Sequence, residues 1–100
     1  MKKRIALLGS TGSIGTQALE VIQNNTDLFT AEVITAQNNA DLLIKQALEF
    51  KPDTVVIGDE SKYQLVKNAL KAENCKVYAG TDALCQVVEL DNVDMVLTAI

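Results

Sequence analysis

Apolar residues in this chain follow two alternating patterns. Short aliphatic and β-branched runs, such as Ile5–Leu8 and Thr54–Ile57, have the length of buried strands. Between these runs, apolar residues recur every three or four positions, which is typical of helices with one buried face. The pattern predicts five strands alternating with four helices, in chain order Arg4–Leu8, Ser13 to about Asn24, Ala31–Ala36, Ala40 to Phe50, Thr54–Ile57, Ser61 to Leu70, Lys76–Tyr78, Ala83 to about Glu89 and Val93–Ala99.

Helical spacing also predicts which side chains face the core. In the second helix, the polar run Gln37–Asn39 supplies an Asn cap, and Lys51-Pro52-Asp53 ends the helix because proline cannot continue it. The predicted inward residues are Ile14, Ala18, Val21 and Ile22 in the first helix, Leu43, Ala47 and Phe50 in the second, and Tyr63, Val66 and Leu70 in the third.

A glycine-rich segment, Gly9-Ser10-Thr11-Gly12-Ser13-Ile14-Gly15, joins the first strand to the first helix. This arrangement presents unpaired backbone amides at a helix N-terminus, where the helix dipole also favours negative charge. Gly9 permits a tight turn, Gly12 permits close approach of a ligand, and Gly15 permits close helix–strand packing. The spacing is a variant of the dinucleotide fingerprint, so we predict that it binds a diphosphate. A glycine turn that binds nothing is the alternative.

Strands that alternate with helices form right-handed βαβ units, which predicts an α/β fold. The strand runs are apolar on successive residues, as expected where helices cover both faces of a sheet. We predict a Rossmann-like, doubly wound, mainly parallel sheet of about five strands, in the order fourth, third, second, first, fifth. The last strand would leave a long apolar edge. We therefore expect residues 1–100 to be one dinucleotide-binding domain at the amino terminus of a larger protein.

Composition excludes several classes of function. Hydrophobic residues make up 48% of the 100 residues and charged residues 22%, as in ordinary globular domains. The net charge of -4, with Lys2-Lys3-Arg4 as the only basic cluster, argues against a nucleic-acid partner. The apolar run after that cluster is too short for a signal peptide, and no segment approaches the roughly 20 apolar residues that span a bilayer. We expect a cytoplasmic protein with no membrane partner.

Residues that carry catalytic or metal chemistry are scarce. The chain has no histidine, which is the commonest general base and metal ligand. Cys75 and Cys85 lie among apolar residues at a spacing that fits no zinc site, so we interpret them as small core residues rather than a disulfide. No pair of carboxylates converges. We predict neither a catalytic residue nor a metal ligand within this chain.

The end of the second predicted strand indicates which dinucleotide binds. In NAD-selective domains an acidic residue there holds the ribose 2′-hydroxyl. Here the strand ends in Gln37-Asn38-Asn39, and the nearest acids, Glu32 and Asp41, lie at the wrong end of the strand and inside the next helix. Amide side chains and the helix N-terminus could bind a 2′-phosphate, which favours NADP, although the nearest lysine, Lys45, is about a turn further along. A plain polar loop with an Asn cap is the alternative.

Three segments of the chain resemble the 1-deoxy-D-xylulose-5-phosphate reductoisomerase family: Lys3–Gln17, Leu48–Pro52 and Val93–Ile100. The full sequence Gly-Ser-Thr-Gly-Ser-Ile-Gly is far more specific for this family than three spaced glycines. The resemblance implies an NADPH-dependent oxidoreductase that also uses Mg or Mn. Such enzymes convert 1-deoxy-D-xylulose 5-phosphate, a small phosphorylated sugar, to 2-C-methyl-D-erythritol 4-phosphate in non-mevalonate isoprenoid biosynthesis, usually as homodimers.

The resemblance also implies roles for individual residues. The family's Gly-Lys-Asn cofactor turn falls on Gln37, Asn38 and Asn39, so only Asn39 is kept and the basic residue is replaced. The family's metal-binding carboxylates, substrate-phosphate site, catalytic lid and Asn-Lys-Glu cofactor segment all fall beyond Ile100, so we expect residues 1–100 alone to be inactive. The implied cofactor-binding residues are Gly9, Thr11, Gly12, Ser13, Ile14, Gln37, Asn38 and Asn39.

Other functions share the same glycine spacing. A semialdehyde dehydrogenase or an extended short-chain dehydrogenase would also place its cofactor loop here and its catalytic groups later in the chain. A non-catalytic module that senses a nucleotide is a third hypothesis, because these residues contain no catalytic groups.

Overall fold

The computed structural model describes residues 2–80, 82–83 and 93–99. The predicted helix from Ala83 to about Glu89 lies outside the described residues, apart from its first residue. The described strands are β1 (Lys3–Leu8), β2 (Phe29–Ala36), β3 (Thr54–Ile57), β4 (Lys76–Ala79) and β5 (Met95–Thr98). The described helices are α1 (Ser13–Asn24), α2 (Ala40–Phe50) and α3 (Tyr63–Ala69), and a 3-10 turn, Glu60–Lys62, precedes α3.

The described strands form one parallel sheet in the order β4-β3-β2-β1-β5. This confirms the predicted α/β class and the predicted strand order. At the end of β1, Leu8 pairs with Thr35 of β2 on one side and with Thr98 of β5 on the other. The carboxyl ends of the three strands therefore meet at one edge of the sheet, where ligands of such folds bind.

The apolar runs of β1, β2 and β3 are buried on both faces of the sheet, which explains why they are apolar on successive residues, whereas β4 is partly exposed and β5 is exposed. The three described helices pack on one face, where Leu7, Ile34 and Ile57 are fully buried. On the opposite face, the smaller cluster of Ala6, Val33 and Val56 contacts Ala83 and Val93. The prediction placed helices on both faces without assigning each helix to one, and the fourth predicted helix falls almost wholly outside the described part of the chain.

The inward face of α1 differs from the sequence prediction. Its buried residues are Gly15, Leu19 and Ile22. Ile14 and Val21, which were predicted to face the core, are 67% and 54% exposed, while Ala18 packs against the core as predicted. The rotation of α1 is set by Gly15, which must face the backbone of the preceding loop. Because glycine contributes no apolar side chain, the hydrophobic pattern gave no sign of it.

The other two helices pack as predicted. In α2, Leu43 and Ala47 are buried, and the helix ends at Phe50, followed by the C-cap residue Lys51, which adopts a left-handed conformation before the proline. In α3, Val66 and the following Leu70 are buried. Phe50 and Tyr63 are partly buried against the same core. Among the described helices, none combines the length and the apolar character needed to cross a bilayer.

Cys75 has the packing role predicted for it. It is a free thiol, partly buried against the main core. Burial, reinforced by the nearby Glu73 and Asp53 carboxylates, raises the pKa of the Cys75 thiol. A thiol with a raised pKa is a poor nucleophile, which fits a packing role. Cys85, the other predicted core cysteine, is outside the described residues.

Candidate dinucleotide site

The loop between β1 and α1 is anchored to β2. Gly9 has a φ of 87°, in the left-handed region that side chains with a Cβ rarely adopt. Its N–H donates to the Thr35 hydroxyl oxygen at 3.0 Å, and the Ser10 N–H donates to the Thr35 carbonyl at 2.8 Å. These two bonds hold the start of the loop at the carboxyl edge of the sheet.

A buried polar pair connects the same loop to α2. The Ser10 hydroxyl donates to Gln46 Oε1 at 2.7 Å, and Gln46 Nε2 donates to the Ser10 carbonyl at 2.9 Å. Both residues are buried, so each satisfies polar groups that water cannot reach. Sequence reasoning missed this pair. The available signal was a glutamine on the face of α2 that also presents Leu43 and Ala47.

Gly15 is required by packing, as predicted. A Cβ at this position would lie 2.1 Å from the Gly9 carbonyl oxygen and 2.7 Å from the Ser10 Cα. No side chain fits between α1 and the loop at those distances. The missing side chain allows the N-terminus of α1 to approach the end of β1 closely.

Gly12 has a different environment. Among the described residues, a Cβ there would find nothing closer than 3.9 Å, the Ala99 carbonyl oxygen, and the backbone has a φ of -79° that any residue adopts. Packing against the described residues therefore does not demand glycine at this position. The space above it is open, which suits a ligand that contacts the backbone.

The N-terminus of α1 has no cap of its own. Gly12 is the N-cap residue and provides no side chain, and the first turn carries no acidic residue. The Thr16 N–H donates to the Gly12 carbonyl at 2.9 Å. The Ser13, Ile14 and Gly15 amides find no backbone acceptor within the described part of the chain. Free amides and the positive end of the helix dipole together favour an anion.

Two cavities lie along the carboxyl edge of the sheet and share Gln37. The smaller, about 300 Å³, lies between the glycine loop and β2, and its lining includes Gly9, Thr11, Gly12 and Gln37. The larger, about 730 Å³, lies beyond the ends of β2, β3 and β4, and its lining includes Gln37 and Asn38. The two cavities form a trough, which brings five of the eight predicted cofactor-binding residues together.

The remaining three predicted residues lie beside this trough. Ser13 and Ile14 are exposed at the N-terminus of α1, directly after Gly12. Asn39 caps α2, because its side-chain oxygen accepts from the Leu42 N–H at 3.2 Å. Its capping role matches the prediction that an Asn of this turn starts the second helix.

The turn after β2 is supported by the end of β3. The Gln37 side chain lies against Gly58, where a Cβ would come within 2.6 Å of the Gln37 Oε1. The Asp59 N–H donates to the Gln37 carbonyl at 2.7 Å. Absence of a side chain at Gly58 therefore makes room for the Gln37 amide in the trough.

A lysine reaches this turn from a distant part of the sequence. Lys62 Nζ donates to the Asn38 carbonyl at 2.6 Å, across 24 residues. Sequence reasoning did not identify Lys62, because no local motif connects it with the turn. Its neighbour Asp59 accepts from the Ser61 hydroxyl at 2.6 Å and from the Ser61 N–H at 3.0 Å. These bonds, with the Lys62 charge, lower the pKa of the Asp59 carboxyl.

The described residues contain no cluster that could hold a metal ion. Within residues 2–80, 82–83 and 93–99, no three His, Cys, Asp or Glu side chains come close enough together to do so.

A family model and individual relatives match this chain and identify the same family. The model of the 1-deoxy-D-xylulose 5-phosphate reductoisomerase family matches residues 5–100. The enzyme of that name from Bacteroides thetaiotaomicron is 59% identical over 98 residues, which are 98% of this chain and 25% of that protein. The enzyme of that name from Porphyromonas gingivalis is 52% identical over 99 residues, which are 99% of this chain and 26% of that protein.

Solved structures agree with the sequence comparison. The reductoisomerase from Zymomonas mobilis in complex with NADPH matches with a TM-score of 0.94 and 32% identity, over 100% of this chain and 26% of that one. The chain spans about a quarter of the length of the relatives it matches. This chain belongs to the 1-deoxy-D-xylulose 5-phosphate reductoisomerase family.

Proposed function

We propose that residues 1–100 form the NADPH-binding domain of a 1-deoxy-D-xylulose 5-phosphate reductoisomerase. The observation that carries this proposal is the open backbone at Gly12 in front of the uncapped N-terminus of α1. A diphosphate at this position would accept from the free amides of α1 and would complement the helix dipole. The relative from Zymomonas mobilis, described in complex with NADPH, has the same fold over this whole chain.

Each residue of the glycine loop would have a separate role in binding the diphosphate. Gly9 turns the chain, and Gly12 leaves the backbone open to the ligand. Thr11 lines the smaller cavity, so its hydroxyl and amide can face the ligand. The Ser13 and Ile14 amides supply donors at the start of α1. Exposed Ile14 gives apolar cover at the edge of the site, which explains why it is not in the core.

The adenosine half of the dinucleotide would extend towards Gln37, Asn38 and Asn39. The larger cavity lies beside this turn, and no carboxylate ends β2. A carboxylate at that point would repel a 2′-phosphate and bind a free 2′-hydroxyl. Its absence supports NADPH over NADH as the cofactor.

The reaction itself needs groups that the described residues do not provide. NADPH would supply the hydride that reduces the substrate, and this domain would hold and orient its nicotinamide at the ends of the strands. We assign Mg or Mn, the phosphorylated sugar and the acid–base groups to the remaining three quarters of the relatives' length. We also propose a cytoplasmic homodimer that acts in non-mevalonate isoprenoid biosynthesis. The family match does not favour a semialdehyde dehydrogenase or a short-chain dehydrogenase.

Calorimetric titration of NADPH and NADH into the full-length protein and its Gly12→Val variant tests this proposal. A valine side chain would occupy the space of the diphosphate, so we expect NADPH to bind the variant at least tenfold more weakly. Gln23→Val, an equal apolar substitution at an exposed position near the end of α1, is the matched control and should bind normally. Equal affinity of Gly12→Val and wild type for NADPH would remove the support for this site.

A further inference from the structure

We propose that Lys62 supplies the positive charge that the turn after β2 lacks, by binding the 2′-phosphate of NADPH with its ammonium group. This inference rests on the proposed function, because it concerns the same cofactor. It assigns NADP selectivity to a residue that follows β3 rather than to the Gln37–Asn39 turn itself.

The position of the Lys62 ammonium group is fixed by the fold. Lys62 ends the 3-10 turn after β3, and β3 lies beside β2 in the sheet. The hydrogen bond from Nζ to the Asn38 carbonyl places the charge at the carboxyl end of β2. In dinucleotide-binding domains this is where the group that selects the ribose 2′ substituent lies. The side chain is half-buried, so it lies along the protein rather than extending freely into solvent.

The chemistry of the ammonium group suits a second, anionic partner. A lysine has three N–H donors, and the Asn38 carbonyl takes one of them. Two donors remain for phosphate oxygens, with which an ammonium forms short, charge-assisted bonds. A 2′-hydroxyl offers no charge to match. The contact would therefore strengthen the binding of NADPH and have little effect on the binding of NADH.

The negative charges around Lys62 make its positive charge important for binding a 2′-phosphate. Asp59, Glu60 and Asp82 line the adjoining cavity, and all three would repel a 2′-phosphate. Within the described part of the chain, no other lysine or arginine side chain hydrogen-bonds the turn of residues 37–39. The nearest cation in the sequence, Lys45, is exposed on α2. Removal of the Lys62 charge would leave the negative charge of these three carboxylates unbalanced beside the phosphate.

The test compares Lys62→Met, Lys62→Gln and the control Lys45→Met in the full-length protein. Dissociation constants are measured for NADPH and NADH, and for the shorter probes adenosine 2′,5′-bisphosphate and 5′-AMP. Loss of a charged hydrogen bond predicts about tenfold to hundredfold weaker binding of NADPH and of the bisphosphate by both Lys62 variants. NADH and 5′-AMP should change by less than about twofold, and Lys45→Met should match wild type. Lys62→Gln keeps a donor for the Asn38 carbonyl, so it separates loss of charge from loss of the turn contact.

Three results would overturn the inference. Unchanged NADPH affinity in both Lys62 variants would show that the phosphate binds without this lysine. Equal weakening of NADPH and NADH would show that Lys62 only holds the turn in shape. A loss confined to Lys62→Met, with normal selectivity in Lys62→Gln, would do the same. Failure of the wild-type protein to bind either dinucleotide would instead reject the proposed function, and this inference with it.

Discussion

Gly12 and Gly15 belong to one motif, yet the structure requires glycine at only one of them for packing. At Gly15 an added methyl group would overlap the Gly9 carbonyl, whereas at Gly12 it would meet open space. Packing therefore explains Gly15, whereas we propose that ligand binding explains Gly12. The same three-residue spacing thus contains one constraint from the fold and one from the proposed function.

Substitution of the two glycines by alanine should separate these constraints. We expect Gly15→Ala to lower the free energy of unfolding by about 2 kcal/mol or more, because the new methyl group overlaps backbone atoms that cannot rotate away. Gly12→Ala should leave it within about 0.5 kcal/mol, as for ordinary surface changes. Urea denaturation measures both values. Equal stability of the two variants would contradict the packing role of Gly15.

The Ser10–Gln46 pair gives a second prediction at this scale. Ser10→Ala removes the donor for a buried Gln46 oxygen, so we expect a loss of about 1–3 kcal/mol in the free energy of unfolding. Gln46→Met should lower the free energy of unfolding less in the Ser10→Ala background than in wild type. In that background the Gln46 side-chain oxygen has already lost its donor, so replacing it removes a buried unpaired group. A double-mutant cycle should give a coupling of about 1 kcal/mol. Purely additive losses would show that the two side chains act independently.

At the scale of elements, strands were easier to predict than helix faces. The apolar runs of the central strands are buried on both sides, so every residue in a run such as Val55–Ile57 is apolar and no inward face has to be inferred. For α1 the prediction also had to infer which side of the helix faces the core. It was wrong at Ile14 and Val21, because these exposed apolar residues also follow helical spacing. The residue that sets the rotation, Gly15, has no hydrophobic signal.

The pairing of β1 with β5 has an electrostatic component that depends on pH. Hydrogen bonds from the Arg4 side chain, and then from its backbone N–H, lower the pKa of the Asp94 carboxyl from 3.8 to about 2. A lowered pKa stabilises the folded state at pH values above the unfolded pKa. That contribution disappears as the pH falls from 3.8 towards 2 and Asp94 becomes protonated.

Acid denaturation should therefore be less steep in Asp94→Asn than in wild type. The midpoint of urea denaturation is measured from about pH 5 to about pH 2, a range that includes both the unfolded and the folded pKa of Asp94. We expect its decline below about pH 4 to be shallower in the variant than in wild type. High salt should also make the wild-type decline shallower, because it screens the Arg4–Asp94 pair. Asp27→Asn, at an exposed carboxylate before β2, is the control. Identical pH profiles for Asp94→Asn and wild type would contradict the Arg4–Asp94 contribution.

At the scale of the whole molecule, the sequence predicted the architecture and the position of the glycine loop. It did not predict the partner of the Gln37–Asn39 turn, because Lys62 is distant in sequence and no motif includes it. The predicted strand order nevertheless placed the end of β3 beside the end of β2. A search for basic residues after β3 would have found this lysine. Contacts between neighbouring loops follow from topology, whereas motifs describe only consecutive residues.

Ligand binding should stabilise the whole domain through the same site. A ligand that binds only the folded state at one hundred times its dissociation constant adds about 2.7 kcal/mol to the free energy of unfolding. We expect saturating NADPH to raise the thermal midpoint of the wild-type protein and to raise that of Gly12→Val by a clearly smaller amount, since the variant binds more weakly. Differential scanning calorimetry measures both shifts. An equal upward shift in the two proteins would mean that NADPH binds away from Gly12.

A crystal structure of the full-length protein with NADPH would show where the diphosphate lies. We expect diphosphate oxygens within about 3.2 Å of the Ser13 and Ile14 backbone nitrogens, with no side chain between them and Gly12. Well-ordered cofactor bound elsewhere, with those two amides facing only water, would contradict this position of the diphosphate.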